Sequence, residues 1–183
     1  MPIFLYRLLL TFNATSLLIA VYFVKTQETL HTFFQRFPNI SRFYSYVFYF
    51  LIPVVSTLLS LYLAKFLGSD SLEKTTGSPA VIAVEQANNA YLPSYLGYFF
   101  VALSVPYCDT LIYVFAILFL FTYLSQTLYF NPLFLIFGYK FYYLTTPSNV
   151  KIFVITKKNL RNPDNANFPV LKRINDFTFI DRK

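Results

Sequence analysis

Tryptophan is absent from this 183-residue chain, cysteine, histidine and methionine occur once each, and glycine occurs only four times. One cysteine cannot form an intrachain disulfide, and with one histidine it cannot supply a self-contained Cys/His zinc site. Charge is scarce as well. Only 13% of residues are charged, against 56% hydrophobic and 21% aromatic, whereas a soluble domain carries about 25% charged and about 45–50% apolar residues. The apolar residues come in blocks, and a chain this short cannot hide several blocks of spanning length in one globular core. An ordinary soluble protein is thereby excluded, and the bilayer becomes the expected solvent.

The blocks predict an α-helical membrane protein with about four transmembrane helices, followed by a small β-rich cytoplasmic C-terminal domain. The spans fall at residues 3–24, 43–67, 92–107 and 110–130, giving a transmembrane bundle over 1–138 and a tail domain over 139–183. The first contains Arg7 and the polar run Asn13-Ala14-Thr15-Ser16, and no Ala-x-Ala follows. It reads as an uncleaved membrane helix, not a signal peptide. The second opens with Tyr44, Tyr46 and Tyr49, whose rings suit the headgroup boundary, and Pro53 is expected to kink it. Ser56, Ser60, Ala64 and Gly68 recur every four residues, so they predict a stripe of small side chains where another helix can pack, within or between subunits. Residues 68–90 read as a polar loop that can carry one surface strand or helix turn. The third block is short for a core of about 30 Å, and a tight turn at 106–109 would pair it with the uncharged fourth.

After Gly138 the pattern changes to aromatic and β-branched runs. Residues 139–144 and 150–156, joined by Thr145-Thr146-Pro147-Ser148-Asn149, predict a β-hairpin. Residues 170–174 and 177–180 are two further candidate strands beyond a polar loop. A unit this small needs the membrane, a second copy or a partner to be stable.

Basic residues set orientation. From Lys140 onward there are nine, with three acids, a net +6, while residues 1–139 net only +1. The tail is therefore expected in the cytoplasm, and with four spans the N-terminus and the 68–90 loop join it. The 25–42 loop, with Lys25, Arg36 and Arg42, lies outside. A three-helix arrangement with a re-entrant third block is the rival. Lys157, Lys158, Arg161, Lys172 and Arg173 form the candidate docking patch for an acidic partner surface, and anionic lipid headgroups suit the same cations. Direct nucleic-acid binding is the weaker reading, because the aromatics of 139–143 alternate with the strand period and predict a buried face, not a stacking platform.

Catalytic chemistry finds no footing. Cys108 and Asp109 fall in the predicted outer turn, Glu85 in the inner loop and His31 in the outer loop, so no two make a local acid/base or nucleophile pair. No catalytic, cofactor or metal residue is expected. Asn13, Thr15 and Ser16 are costly in hydrocarbon and should face other helices or, in an oligomer, a polar path. An oligomeric pore lined by them is the runner-up function, and a lipid-acting enzyme a distant third.

The four short aromatic helices, then Gly138-Tyr139-Lys140-Phe141-Tyr142, Ile155-Thr156-Lys157-Lys158-Asn159-Leu160-Arg161-Asn162-Pro163 and Lys172-Arg173-Ile174-Asn175, resemble the small membrane subunit of the Kiwa bacterial anti-phage defence system. The resemblance implies a non-enzymatic, homo-oligomeric inner-membrane protein. Such a protein senses infection at the envelope and works with a cytoplasmic DNA-binding partner.

Overall fold

A computed structural model describes residues 3–33, 41–73, 79–87, 92–125 and 131–182. Arg36, Lys74 and the last residues of the expected fourth span, 126–130, lie outside this set. The chain forms two compact units, one of Leu8–Leu58 with Pro93–Phe130 and one of Met1–Arg7, Leu59–Leu92 and Asn131–Lys183.

The first unit is helical. Its elements are α1 (Ile3–Lys25), which begins in the other unit, the single turn α2 (Leu30–Phe33), α3 (Arg42–Leu63), α4 (Leu92–Ser104) and α5 (Cys108–Ser125). Ile3–Lys25, Arg42–Phe66 and Cys108–Ser125 are long and apolar enough to cross a membrane by length and composition. The third block forms a helix of 13 residues, against the roughly 20 that span a bilayer upright. Leu18, Tyr22, Ala102, Val105 and Leu111 make one buried cluster, and Ala20, Leu30 and Tyr49 another. The rings of Phe23 and Tyr49 lie 5.2 Å apart. α5 buries only Leu111 and exposes Ile112, Tyr113, Leu120, Phe121 and Leu124. A helix apolar on every side and exposed to this degree suits lipid or another subunit, not water.

The second unit is a six-stranded mixed sheet. β1 (Ser69–Leu72), β2 (Ala83–Gln86), β3 (Lys140–Thr145), β4 (Lys151–Thr156), β5 (Phe168–Arg173) and β6 (Thr178–Ile180) lie in the order β1-β5-β6-β4-β3-β2. The expected hairpin is present in full register, Lys140 opposite Thr156 and Thr145 opposite Lys151. Its turn closes where Asn149 takes a left-handed φ of 61°, which an Asn tolerates better than most side chains. β6 then runs parallel to β4 and inserts between it and β5.

Successive side chains point to opposite sides, and the central strands β3 and β4 are buried on both. Tyr142, Leu144, Ile152, Val154 and Phe179 pack on one face against Leu160, Ala166, Ala80 and Val81. On the other face Phe141 stacks on Phe153 at 5.8 Å and meets Phe134 edge-on at 6.2 Å. Phe134 belongs to the short α6 (Leu133–Ile136). That helix ends at Gly138, whose φ of 78° is open to glycine without strain. The amides of Gly138 and Tyr139 there return to the carbonyls of Leu135 and Phe134, satisfying the last turn.

Two expectations need correcting. Residues 68–90 are not merely a loop, because they supply both edge strands, β1 on β5 and β2 on β3. Gly68 does not continue the small-residue stripe. The helix tightens to a 3-10 turn at Ala64–Phe66 and Leu67 is extended, with ψ 156°. The Gly68 carbonyl then accepts from the Arg173 amide at 2.9 Å. Of the four stripe residues, Ser60 and Ala64 are fully buried within the chain, while Gly68 is exposed.

Candidate functional site

Two groups of polar side chains stand out, one in each unit. In the helical unit Asn13, Thr15 and Ser16 are all buried. Thr15 Oγ1 donates to the Thr11 carbonyl at 3.0 Å and Ser16 Oγ to the Asn13 carbonyl at 3.1 Å, each returning to its own helix. Such back-bonding lets a hydroxyl sit in an apolar bundle at little cost. Asn13 Nδ2 reaches across to the Ser56 carbonyl of α3 at 3.4 Å, one turn beyond Pro53, and Thr57 Oγ1 donates to the Pro53 carbonyl at 2.7 Å. Asn13 Oδ1 is buried with no hydrogen-bond partner among the described residues. The Tyr95 hydroxyl of α4 donates to the Ala14 carbonyl at 3.3 Å. These residues form an internal seam that joins α1 to α3 and α4.

In the sheet unit the five cations of the expected docking patch have different surroundings. Lys172 Nζ donates to the Leu67 carbonyl at 3.0 Å and to Ser69 Oγ at 2.7 Å, binding edge strand β1 to β5. Arg173 Nε meets Asp70 Oδ2 at 2.6 Å across the same pair of strands, and its guanidinium lies 6.0 Å from the Phe179 ring. Asp70 pushes the Arg173 pKa above its ordinary value. Lys158 Nζ donates to the Asn167 carbonyl at 2.8 Å, sits 4.5 Å over Phe168 and lies 3.8 Å from the buried Asp181. Asp181 Oδ2 accepts from Thr156 Oγ1 at 2.8 Å, so the carboxylate has a hydrogen bond as well as a nearby cation. Lys157 Nζ lies 5.0 Å over the Tyr139 ring. Arg161 is exposed and makes no hydrogen bond or ion pair among the described residues.

The arrangement therefore separates two roles that the sequence merged. Lys158, Lys172 and Arg173 are tied into the sheet, whereas Lys157 and Arg161 present charge outward from the connection after β4. At the opposite edge Lys151 pairs with Glu85 at 2.6 Å, with both side chains half exposed. Burial pushes the Tyr143 phenol up despite the Lys151 ammonium over its ring, and burial does the same to Tyr139 against the opposing Arg182.

Cys108 and His31 are exposed, and Asp109 opens α5. Among the described residues no three His, Cys, Asp or Glu side chains cluster as a metal site. What the geometry offers is charged surface, internal polar contacts and helices long and apolar enough to cross a membrane. Sequence reasoning missed Asp70 and Glu85 as ion-pair partners, because each finds its cation only through strand pairing between segments far apart in the chain.

Apolar helices of spanning length joined to a folded mixed sheet define a class of chain with a membrane-compatible helical part and a compact β-rich part. Within that class the chain belongs to the KwaA family, described as anti-phage protein KwaA, which matches residues 6–180. Its role is in defence against phage, and the resemblance drawn from the tail motifs holds across nearly the whole chain. No curated protein and no solved structure matches it.

Proposed function

We propose that this chain is a non-enzymatic sensor and scaffold of an anti-phage system, embedded in the bacterial inner membrane as a homo-oligomer. It crosses the membrane four times, keeps both termini in the cytoplasm, and uses the tail to hold a cytoplasmic DNA-binding partner near the bilayer. The observation that carries this reading is the sheet itself. Its central strands pack on both faces, while Lys157 and Arg161 stand free of ion pairs among the described residues on the connection after β4. A folded platform carrying most of the chain's net positive charge suits steered capture of an acidic protein surface.

The test is affinity purification of the tagged full chain from its native host in mild detergent, beside the Lys157→Glu/Arg161→Glu variant. One stoichiometric cytoplasmic protein should accompany the wild type, leave at high salt and be depleted with the variant. Equal recovery with the variant, or no partner at all, sinks the scaffold reading. Phage plating unchanged by deletion of the gene sinks its defence role in that host.

One observation favours the pore as a second reading, the buried Asn13 Oδ1 with no hydrogen-bond partner among the described residues. A water path opened on assembly would satisfy it. Conductance across reconstituted bilayers that Asn13→Leu abolishes would raise this reading above the scaffold, and absence of any conductance would remove it.

A further inference from the structure

The helical unit holds an apolar groove of about 300 Å³, walled by Leu17, Val21 and Val24 of α1, Phe50 of α3, and Phe99 and Leu103 of α4. From Leu17 to Lys25 the wall runs about 12 Å at about 1.5 Å per residue. Its aliphatic and aromatic walls suit a hydrocarbon chain. Water is a poor occupant, because a bound water needs two to four polar partners or so and nearly all of this lining is apolar.

Lys25 closes the groove at the C-terminal end of α1, beside the half-buried Tyr46 of α3. Its ammonium donates to the Val105 carbonyl just beyond α4 at 2.6 Å, which fixes the charge at the groove mouth. It makes no ion pair among the described residues. Two of its three protons remain for another acceptor. A cation at the mouth of an apolar groove has the amphipathic pattern of an anionic lipid.

We propose that this groove is a binding site for one anionic phospholipid, its acyl chain lying along α1 and its phosphate on Lys25. The site rests on the reading that the helical unit sits in a bilayer, and it gives the sensor a direct contact with lipid composition. Charge complementarity selects the headgroup, and the apolar walls accept the chain. Glu28 and Asp109, the acids nearest this end in sequence, are not part of the lining.

The experiment is native mass spectrometry of the full chain in mild detergent, titrated with phosphatidylglycerol or phosphatidylcholine of identical acyl chains. The wild type should retain one phosphatidylglycerol in preference by about fivefold, the factor that about 1 kcal/mol per cation near an anionic headgroup corresponds to. Excess inorganic phosphate should not displace it. Lys25→Gln should erase the preference and Lys25→Arg keep it. Leu103→Trp, which narrows the groove without touching the Lys25–Val105 bond, should lower retention of both lipids. Arg42→Gln, outside the lining, should change nothing. Equal retention of the two lipids by wild type, unaltered retention by Leu103→Trp, displacement by phosphate, or equal loss with Arg42→Gln overturns the site. Dimers that Leu103→Trp abolishes would assign the groove to a second copy instead. Recovery of the chain in the soluble fraction without detergent would overturn the membrane reading. Detergent extraction with no lipid preference overturns the site alone.

Discussion

Replacing Lys172 by alanine should open the β1 edge of the sheet without unfolding the rest, and the size of the effect follows from what holds that edge. β1 is four residues long and pairs with β5 through an irregular register, Ser69 with Lys172, Asp70 with Leu171 and Leu72 with Phe168. Side-chain ties across the pair come from Lys172, which bonds both the Leu67 carbonyl and Ser69 Oγ, and from the more exposed Arg173–Asp70 pair. An exposed pair contributes little once solvent screens it. The two bonds of the partly buried ammonium are charge-assisted, and their joint loss at a half-exposed site should cost about 1–2 kcal/mol. That cost corresponds to a rise of about 5- to 30-fold in the open population of the edge. Hydrogen exchange on the full chain in detergent reads this quantity segment by segment. Peptides covering 67–73 and 168–173 should exchange faster by that factor, while those covering β3 and β4 stay as in wild type. Arg161→Ala, removing a side chain with no hydrogen bond or ion pair among the described residues, should leave exchange unchanged everywhere. Unaltered exchange of β1 in Lys172→Ala, or acceleration of the whole sheet, would refute the assignment of Lys172 as the tie of one edge.

Phe141→Ala should cost about 3–5 kcal/mol, the range for truncating a large aromatic side chain in a packed core, because its fully buried ring contacts both Phe153 and Phe134. Chemical denaturation followed by tyrosine fluorescence checks this, and a loss below about 1 kcal/mol would mean that the stacked face does not organise the sheet. Burial raises the Tyr139 and Tyr143 phenols above their ordinary 10.0. The folded state therefore holds these protons more tightly than the unfolded chain does, so stability is complete below pH 10 and is lost as pH rises through the folded values. Ultraviolet titration of phenolate with denaturation at rising pH should show this loss, and Tyr143→Phe should lessen it. Stability flat across the alkaline range would contradict the burial seen at both rings.

Composition and block length alone separated apolar helices from a β-rich tail, because burial in hydrocarbon demands long uncharged runs whatever the neighbours. The hairpin of β3 and β4 was equally legible. Alternation places Phe141 and Tyr143 on one face and Tyr142 and Leu144 on the other, and Thr146 to Asn149 carry the turn chemistry. The basic tail was visible as a charge asymmetry, and the tail motifs carried the family resemblance. Tertiary structure decided what each charge does. Nothing local in Ser69–Leu72 or Ala83–Gln86 marks an edge strand, since each is four residues long and takes its order from partners more than 50 residues away. The same long-range pairing set Asp70 on Arg173 and Glu85 on Lys151, and it drew Lys172 into the fold while leaving Arg161 outside. Gly68 left the helical stripe because the chain must unwind after Phe66 to enter β1. Lys25, an ordinary basic residue at a helix end in sequence, became the charged mouth of an apolar groove only when α1, α3 and α4 packed together, because a groove belongs to the gap between helices and to none of them singly.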